Sequence, residues 1–501
     1  MTSPPTRVST VTATLAAGRL GVPAVVFFVM SAAAPLTVVA GGATTGYAIT
    51  GVTGIPVAYL ATAAILALFA VGYVAMSRHI LNAGAFYTYI SRGLGKPAGV
   101  AGAMVALLAY NAMQIGLYGG FGAVTSDFFN PRLGLDLGWW VYALVAWAIV
   151  AVLGVSRVDL NGLVLAVMLT AEILVAVVFD AVMVSHPADA GLSLATLSPH
   201  HLVTAGIGAA LVTAITGFVG FEATVVFSEE TRDPKRTIAR ATYIAVVVTG
   251  LLYGLSAWAM SVATGPDRIV TAATEDGTEL VFNLVLPHVG QGMVTGGHVL
   301  FITSLFAALL SFHNTVARYS FALGREGVLP AWLGRTSRRS GAPAAGSLIQ
   351  TLLALVALIV YAALGADPIV HLFFWVTVTG GLGVLILMTG TSAAVLGYFN
   401  RERHGESVWR RRIAPALATA LLGVVVWVTL AEFSTLLGVA PASPLRWIFP
   451  AVYAVAALVG VGWALILRAS NPAVYEAIGL GVHSGATFGA TRPPLVDPTH
   501  A

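Results

Sequence analysis

The sequence predicts an all-α membrane protein with 12 transmembrane helices. Three observations carry that expectation. The 501-residue chain has only 9% charged and 58% hydrophobic residues. It contains twelve apolar runs of bilayer-spanning length, and its arginines concentrate in alternate connections between them. Soluble domains average about 25% charged residues, and a soluble chain of this size needs far more polar surface to cover itself. A soluble enzyme, a nucleic-acid binder and a disordered chain are therefore excluded. The lack of cysteine removes disulfide frameworks and thiolate metal sites, and no cofactor or metal is expected.

A helix needs about 20 mainly apolar residues to cross a bilayer. The runs lie at roughly 21–47, 53–77, 98–126, 138–155, 160–184, 200–227, 239–264, 291–318, 343–364, 368–396, 412–436 and 445–468, here spans 1 to 12. They lack the two-residue alternation of a membrane barrel. The polar stretch 1–20 precedes a run too long for a signal-peptide core and without a small-residue cleavage site, so it reads as an uncleaved cytoplasmic tail. With both ends inside, the cytoplasmic segments, tails included, hold 22 of the 25 Lys and Arg residues; only Arg132, Arg268 and Arg446 fall outside. This asymmetry sets topology in membrane proteins. The outer connection 265–290 carries Asp267, Glu275, Asp276 and Glu279 and is expected to hold a short surface helix. The cytoplasmic tail 469–501, with Pro472, Pro493, Pro494 and Pro498, reads as poorly ordered.

Two spans are interrupted. Span 1 contains Ser31-Ala32-Ala33-Ala34-Pro35, a proline after four small residues, and span 6 contains Gly217-Phe218-Val219-Gly220-Phe221-Glu222. Proline removes a donor and disturbs the preceding turn, and the small residues let a ligand approach the backbone. Irregular backbone at membrane depth is tolerated where it lines a cavity. Each broken span opens a group of five, which points to a 5+5 inverted repeat of the kind found in secondary transporters. Spans 1–5 (21–184) form the first repeat and spans 6–10 (200–396) the second, with spans 11–12 (412–468) appended. Helix packing is the plainer use of such residues.

Three further motifs carry a family resemblance. Phe227-Ser228-Glu229-Glu230-Thr231-Arg232-Asp233-Pro234-Lys235-Arg236-Thr237-Ile238, Asn82-Ala83-Gly84-Ala85-Phe86-Tyr87-Thr88-Tyr89, and His313-Asn314-Thr315-Val316-Ala317-Arg318-Tyr319 through Gly324-Arg325-Glu326-Gly327-Val328-Leu329-Pro330 resemble signature segments of amino acid permeases. These belong to the amino acid–polyamine–organocation superfamily, and the similarity covers about residues 20–400. The resemblance implies a LeuT-like fold, alternating access and a substrate held between the two breaks, its carboxylate on N–H groups and its amine on carbonyls. Half-helix ends suit a zwitterion without charged side chains. Many relatives place Gly-Ser-Gly or Gly-Thr-Gly at the first break, where this chain has alanines. Its Ala-Pro-Leu-Thr stretch is similar to that of some polyamine importers, so a cationic substrate stays open.

Ionisable groups within spans mark function by default. Glu172 is mid-span 5, where several proton-coupled relatives hold a lysine; a carboxyl withdrawn from water is a candidate carrier for a coupling proton, or a structural hydrogen-bonding group. His313, Asn314 and Ser311 lie near the inner end of span 8, where sodium-coupled relatives hold an ion; His313 and Asn314 are candidates with Glu172 for proton coupling, or make ordinary interhelical hydrogen bonds, and no Thr-Ser pair is evident, which argues against sodium. Glu222 either caps the freed N–H groups of its break or attracts a substrate amine. Asp180 reads as exposed at the outer end of span 5. On span 3, Tyr110, Gln114 and Tyr118 share one face at four-residue spacing, with Asn111 beside them, and are expected in the substrate pocket or in helix packing. Phe218 and Phe221 are candidate aromatic gates. His371, Phe374 and Trp375 form an outer aromatic group, an external gate or interfacial anchors. Glu229, Glu230, Arg232, Lys235 and Arg236 are expected either to pair with Arg325 or Arg92 or, more plainly, to be solvated loop charge.

The expected function is a proton-coupled secondary transporter importing an amino acid through a bacterial cell membrane. Transport of a polyamine or other organic amine is the alternative. A membrane sensor or enzyme is a third reading, for which no His-x-x-x-His, Gly-x-Ser-x-Gly or nucleotide-binding loop is present. The partners are a small-molecule substrate, a coupling proton and the lipid bilayer, with no nucleic acid; monomer and homodimer are both open.

Overall fold

The computed structural model describes residues 20–80, 82–156, 158–188, 191–337 and 340–481, the side chains of 158–165 excepted. The predicted tail before Leu20, the tail beyond 481, and Arg157, Arg338 and Arg339 lie outside the described residues.

Among the described residues the regular structure is helical, apart from a two-residue bridge between Leu20 and Thr231. Among the described residues, eleven helices are long and apolar enough to cross a membrane. Predicted span 4 is Trp139–Gly154, apolar but only 16 residues, or about 24 Å at 1.5 Å per residue. Spans 2, 5, 9 and 12 are Ile55–Ser77, Val158–Ser185, Ala344–Ala363 and Leu445–Ser470. Pro56, Pro97, Pro234 and Pro415 sit in first turns, where the missing N–H has no helical partner to lose.

Some extents differ from expectation. Span 3 runs Lys96–Leu133 and follows a separate short helix, Ala85–Leu94. Span 8 belongs to Leu280–Arg325, which leaves helical geometry at Gly290 (φ 76°). Ile269–Asp276 supplies a short helix within 265–290. Span 6 is α-helical only over Ile207–Phe218, then continues as 3₁₀ turns. The start of the C-terminal tail, expected to be poorly ordered, forms the helix Pro472–Ala477, capped by the Asn471 side chain.

Spans 1 and 6 occupy the centre, and spans 5, 9, 11 and 12 the periphery. The peripheral spans expose Leu174, Val177, Leu352, Trp427 and Leu458. Such a continuous apolar exterior is unusual for a protein in water and matches lipid.

Candidate functional site

The first break follows from its proline. Pro35 crowds the residue before it out of right-handed helix, and Ala34 adopts φ 43°, ψ 73°, ending the helix Val22–Ala33. A wide π-type turn, Thr37–Ala43, leads into Thr44–Thr50. The disrupted groups find side-chain partners. Tyr253 of span 7 donates to the Ala33 carbonyl at 2.7 Å, and the Thr37 N–H donates to Ser304 Oγ at 3.2 Å. Glu172, buried in span 5, meets the Leu36 N–H and Ser304, and its Oε2 has no partner.

The second break is set by glycine. Val219 is extended and Gly220 has φ 121°, a region open mainly to glycine. Glu222 folds back so that Oε2 accepts from the Gly220 N–H at 2.9 Å, while Oε1 accepts from the Tyr110 hydroxyl at 2.6 Å. Tyr73 of span 2 donates to the Glu222 carbonyl at 2.8 Å. The two breaks touch: a Cβ on Gly220 would lie 2.5 Å from Ala32 Cβ.

A cavity lies against both breaks. Its wall comprises Ala32, Ala33, Ala34, Thr37, Val38 and Gly42 of span 1, Tyr59 of span 2, Met113 and Leu117 of span 3, and Thr213, Thr216 and Gly217 of span 6. Span 8 adds Ala308 and Phe312, and span 10 adds Phe373, Phe374, Thr377 and Val378. The cavity has a volume of about 60 Å³, against about 10–15 Å³ needed for one water. No charged side chain lines it among the described residues.

The structure sorts the expected site residues. Ala32, Ala33, Ala34 and Gly217 are on the cavity wall; Ser31, Pro35 and Gly220 are at the breaks behind it. Asn111, Gln114 and Tyr118 are not on the wall. The polar stripe of span 3 is turned away by about one residue, or 100° of helix, and Met113 and Leu117 face the cavity instead. Asn111 Nδ2 donates to the Leu107 carbonyl of its own helix at 2.6 Å. Gln114 lies 3.3 Å from His313 Nδ1 and bonds Gln350, and His313 Nε2 lies 2.7 Å from Ser347 Oγ. Asn314 accepts from Arg318 at 3.3 Å. Phe218 packs on Tyr59 and Tyr253, and Phe221 on Phe69, so neither is on the wall. Asp180 is not exposed as expected but accepts from Ser256 at 2.7 Å. Of the outer aromatic group, Phe374 reaches the wall, while His371 packs on Trp375. Sequence reasoning missed Tyr59, Thr213, Thr377 and Phe312 on the wall, and the capping tyrosines Tyr73 and Tyr253. Lone tyrosines in mid-span were the available signal.

The amino acid permease family model matches residues 20–467. The chain belongs to the amino acid permease family. The permease is 25% identical over 408 residues to the low-affinity putrescine importer PlaP of Escherichia coli, covering 77% of this chain and 84% of the importer. It is 32% identical over 135 residues to an uncharacterized transporter of Mycobacterium tuberculosis (26% of this chain, 29% of that one). It is 26% identical over 142 residues to the branched-chain amino acid permease BcaP of Bacillus subtilis (28% and 29%). Family and fold together make it an integral membrane transporter and not an enzyme.

At its arginine-rich end the permease buries charge. Arg318 Nε and Nη2 donate to Glu230 at 2.7 and 3.2 Å, and Arg325 donates to both oxygens of Glu229 at 2.7 and 2.8 Å. Solvated loop charge, the plainer expectation for Glu229 and Glu230, is thus corrected: both pairs lie out of water. Glu326 is a hub, accepting from Tyr87, from Asn82 Nδ2 at 2.8 Å, and from the Gly479 and Gly481 N–H groups at 2.6 and 2.8 Å. Burial holds its carboxyl above the ordinary glutamate value even though these four donors pull the other way.

Proposed function

We propose that the permease is a secondary transporter that imports an amino acid by alternating access, coupled to a proton. The observation that carries this is the cavity against two touching helix breaks, one from each five-helix group. Spans 1–5 and 6–10 are read as inverted repeats that rock about this contact. The arginine-rich end is assigned to the cytoplasm by the bias of Lys and Arg, and the membrane to a bacterial cell, in line with the bacterial relatives. Glu172 is the assigned proton carrier. It is buried, one oxygen has no partner, and it meets the freed Leu36 N–H, so gain of a proton weakens its hold on the first break. His313, engaged with Ser347 and Gln114, is read as structural.

The experiment is uptake into proteoliposomes under an imposed pH gradient. Accumulation of an amino acid that collapses with the gradient is expected; accumulation that follows sodium and ignores pH overturns the coupling. Glu172→Gln is expected to lose gradient-driven accumulation while keeping exchange across the membrane. An organic amine is the second reading, favoured by the extended match to a protein named as a putrescine importer. Uptake of amines with rejection of all amino acids would select it.

A further inference from the structure

Span 11 opens with the π-type turn Trp409–Ile413, which carries Arg410, Arg411 and Arg412, and continues as Ala414–Ala431. Three arginines in a first turn repel one another and face the partly positive end of their own helix. The acids of the connection before it are already engaged. Glu406 accepts from Arg78 at 3.2 Å and from Arg410 at 3.3 Å, and lies 3.6 Å from His79. Glu402 lies 3.1 Å from His404.

Arg411 is turned inward. The turn packs against spans 2 and 10, and Arg411 is only 9% exposed. Arg318, also buried, holds Glu230; Arg411 holds no acid among the described residues. Its Nε and Nη1 are covered and have no partner. Nη2 has none either, but it is not covered, so the open edge of the group is there. An arginine does not shed its charge, and a buried charge without a partner is costly. A negative group at Nη2 supplies the missing counter-charge. The surroundings are those of a membrane interface. Trp409, Ile413 and Leu417 are exposed on the outer side of the same helix, and tryptophan favours the headgroup level.

We propose that the first turn of span 11 binds an anionic membrane lipid, its phosphate on the Arg411 guanidinium with Arg412 beside it, and its acyl chains along Ile413 and Leu417. A lipid suits the site better than a free anion, because the charge and the lipid-facing apolar surface lie on one helix within two turns. Net negative charge is required, because the turn has an excess of arginine over acid. The site is separate from the cavity at the breaks and does not depend on the transport reading.

Melting curves of the purified full chain in neutral detergent test this, with added phosphatidylglycerol, phosphatidylcholine of the same acyl chains, or inorganic phosphate. Phosphatidylglycerol is expected to raise the melting temperature saturably, and the other two are not. Arg411→Met removes the charge and keeps an apolar stem. It should melt at or above the wild-type temperature without lipid, yet bind phosphatidylglycerol about tenfold more weakly or worse. An arginine with a purely structural role would give the reverse, a lower melting temperature and unchanged lipid affinity. Arg412 is exposed, so Arg412→Gln leaves packing intact and keeps the test valid should Arg411→Met fold poorly; it should weaken binding about fivefold. Arg468→Gln, at the exposed end of span 12, should leave it unchanged. Equal stabilisation by phosphatidylcholine overturns the requirement for charge and with it the proposal. Stabilisation by inorganic phosphate without phosphatidylglycerol overturns the lipid. Unchanged phosphatidylglycerol affinity in the Arg411 and Arg412 variants overturns the site.

Discussion

The centre of the bundle and its arginine-rich end bury polar groups by opposite means. At the centre, tyrosine, threonine and serine hydroxyls and folded-back carboxyls satisfy single backbone groups, and several hydroxyls, those of Ser31, Tyr59 and Thr213 among them, are left without a partner. At the arginine-rich end, full ion pairs are buried with their partners, and the Glu326 carboxyl gathers four donors. A buried ion pair is self-contained and holds two segments in one register; breaking it exposes a bare charge to low dielectric. A wall of small neutral dipoles has no such internal partner and is completed by what binds there. The end is built to hold, and the centre to exchange.

The comparison breaks most easily at Arg318. Arg318→Met leaves the Glu230 carboxylate buried and alone, with an expected loss of about 3–5 kcal/mol in unfolding free energy. Detergent-solubilised unfolding measures it, and replacing Glu230 by Met as well should recover most of the loss. A cost near zero for the single change means the end is solvated after all.

Next in size is Gly220→Ala. The positive φ alone costs about 1–3 kcal/mol for another residue, and the new methyl would lie 2.5 Å from Ala32 Cβ. Transport should be lost together with stability, because the two breaks can no longer touch. Full transport by this variant would mean that their contact is dispensable.

Span 3 offers a paired test. Gln114→Leu strips His313 and Gln350 of a partner and should cost about 1–3 kcal/mol with substrate preference unchanged. Met113→Leu conserves volume and should cost less than about 1.5 kcal/mol, yet shift the relative uptake of substrates of different side-chain size. The reverse pattern would put the polar stripe, not Met113, on the substrate.

The smallest effect is a pH dependence at Glu326. Its carboxyl is raised by burial, so the folded state holds the proton more tightly than the unfolded chain. Its contribution to stability is then present below the ordinary glutamate range and is lost as pH rises through the raised value. The melting temperature of the wild type minus that of Glu326→Gln should fall as pH is raised from 4 to 8. A difference that grows with pH would show that the four donors outweigh burial.

Much of this architecture was legible in the chain. Length and hydrophobicity locate the spans because a bilayer imposes a minimum apolar length. The breaks at Pro35 and Gly220 were legible because proline and glycine act on the backbone where they stand. The wall was not. A hydrophobic span has little amphipathic pattern to fix its rotation, so the stripe of Tyr110, Gln114 and Tyr118 marks a buried polar face without saying which neighbour it meets. The burial of Glu229 and Glu230 was equally hidden, since a charge in a connection looks solvated until another helix covers it.

The sequence by itself determined that the chain lives in a membrane, where its helices run and where two of them fail, because those properties depend on local composition and backbone chemistry. Only the tertiary structure decided which residues face the cavity, which tyrosines cap the breaks and which acids are paired. Those outcomes depend on side chains from spans far apart in sequence meeting in space, and no local pattern encodes the angle at which they meet.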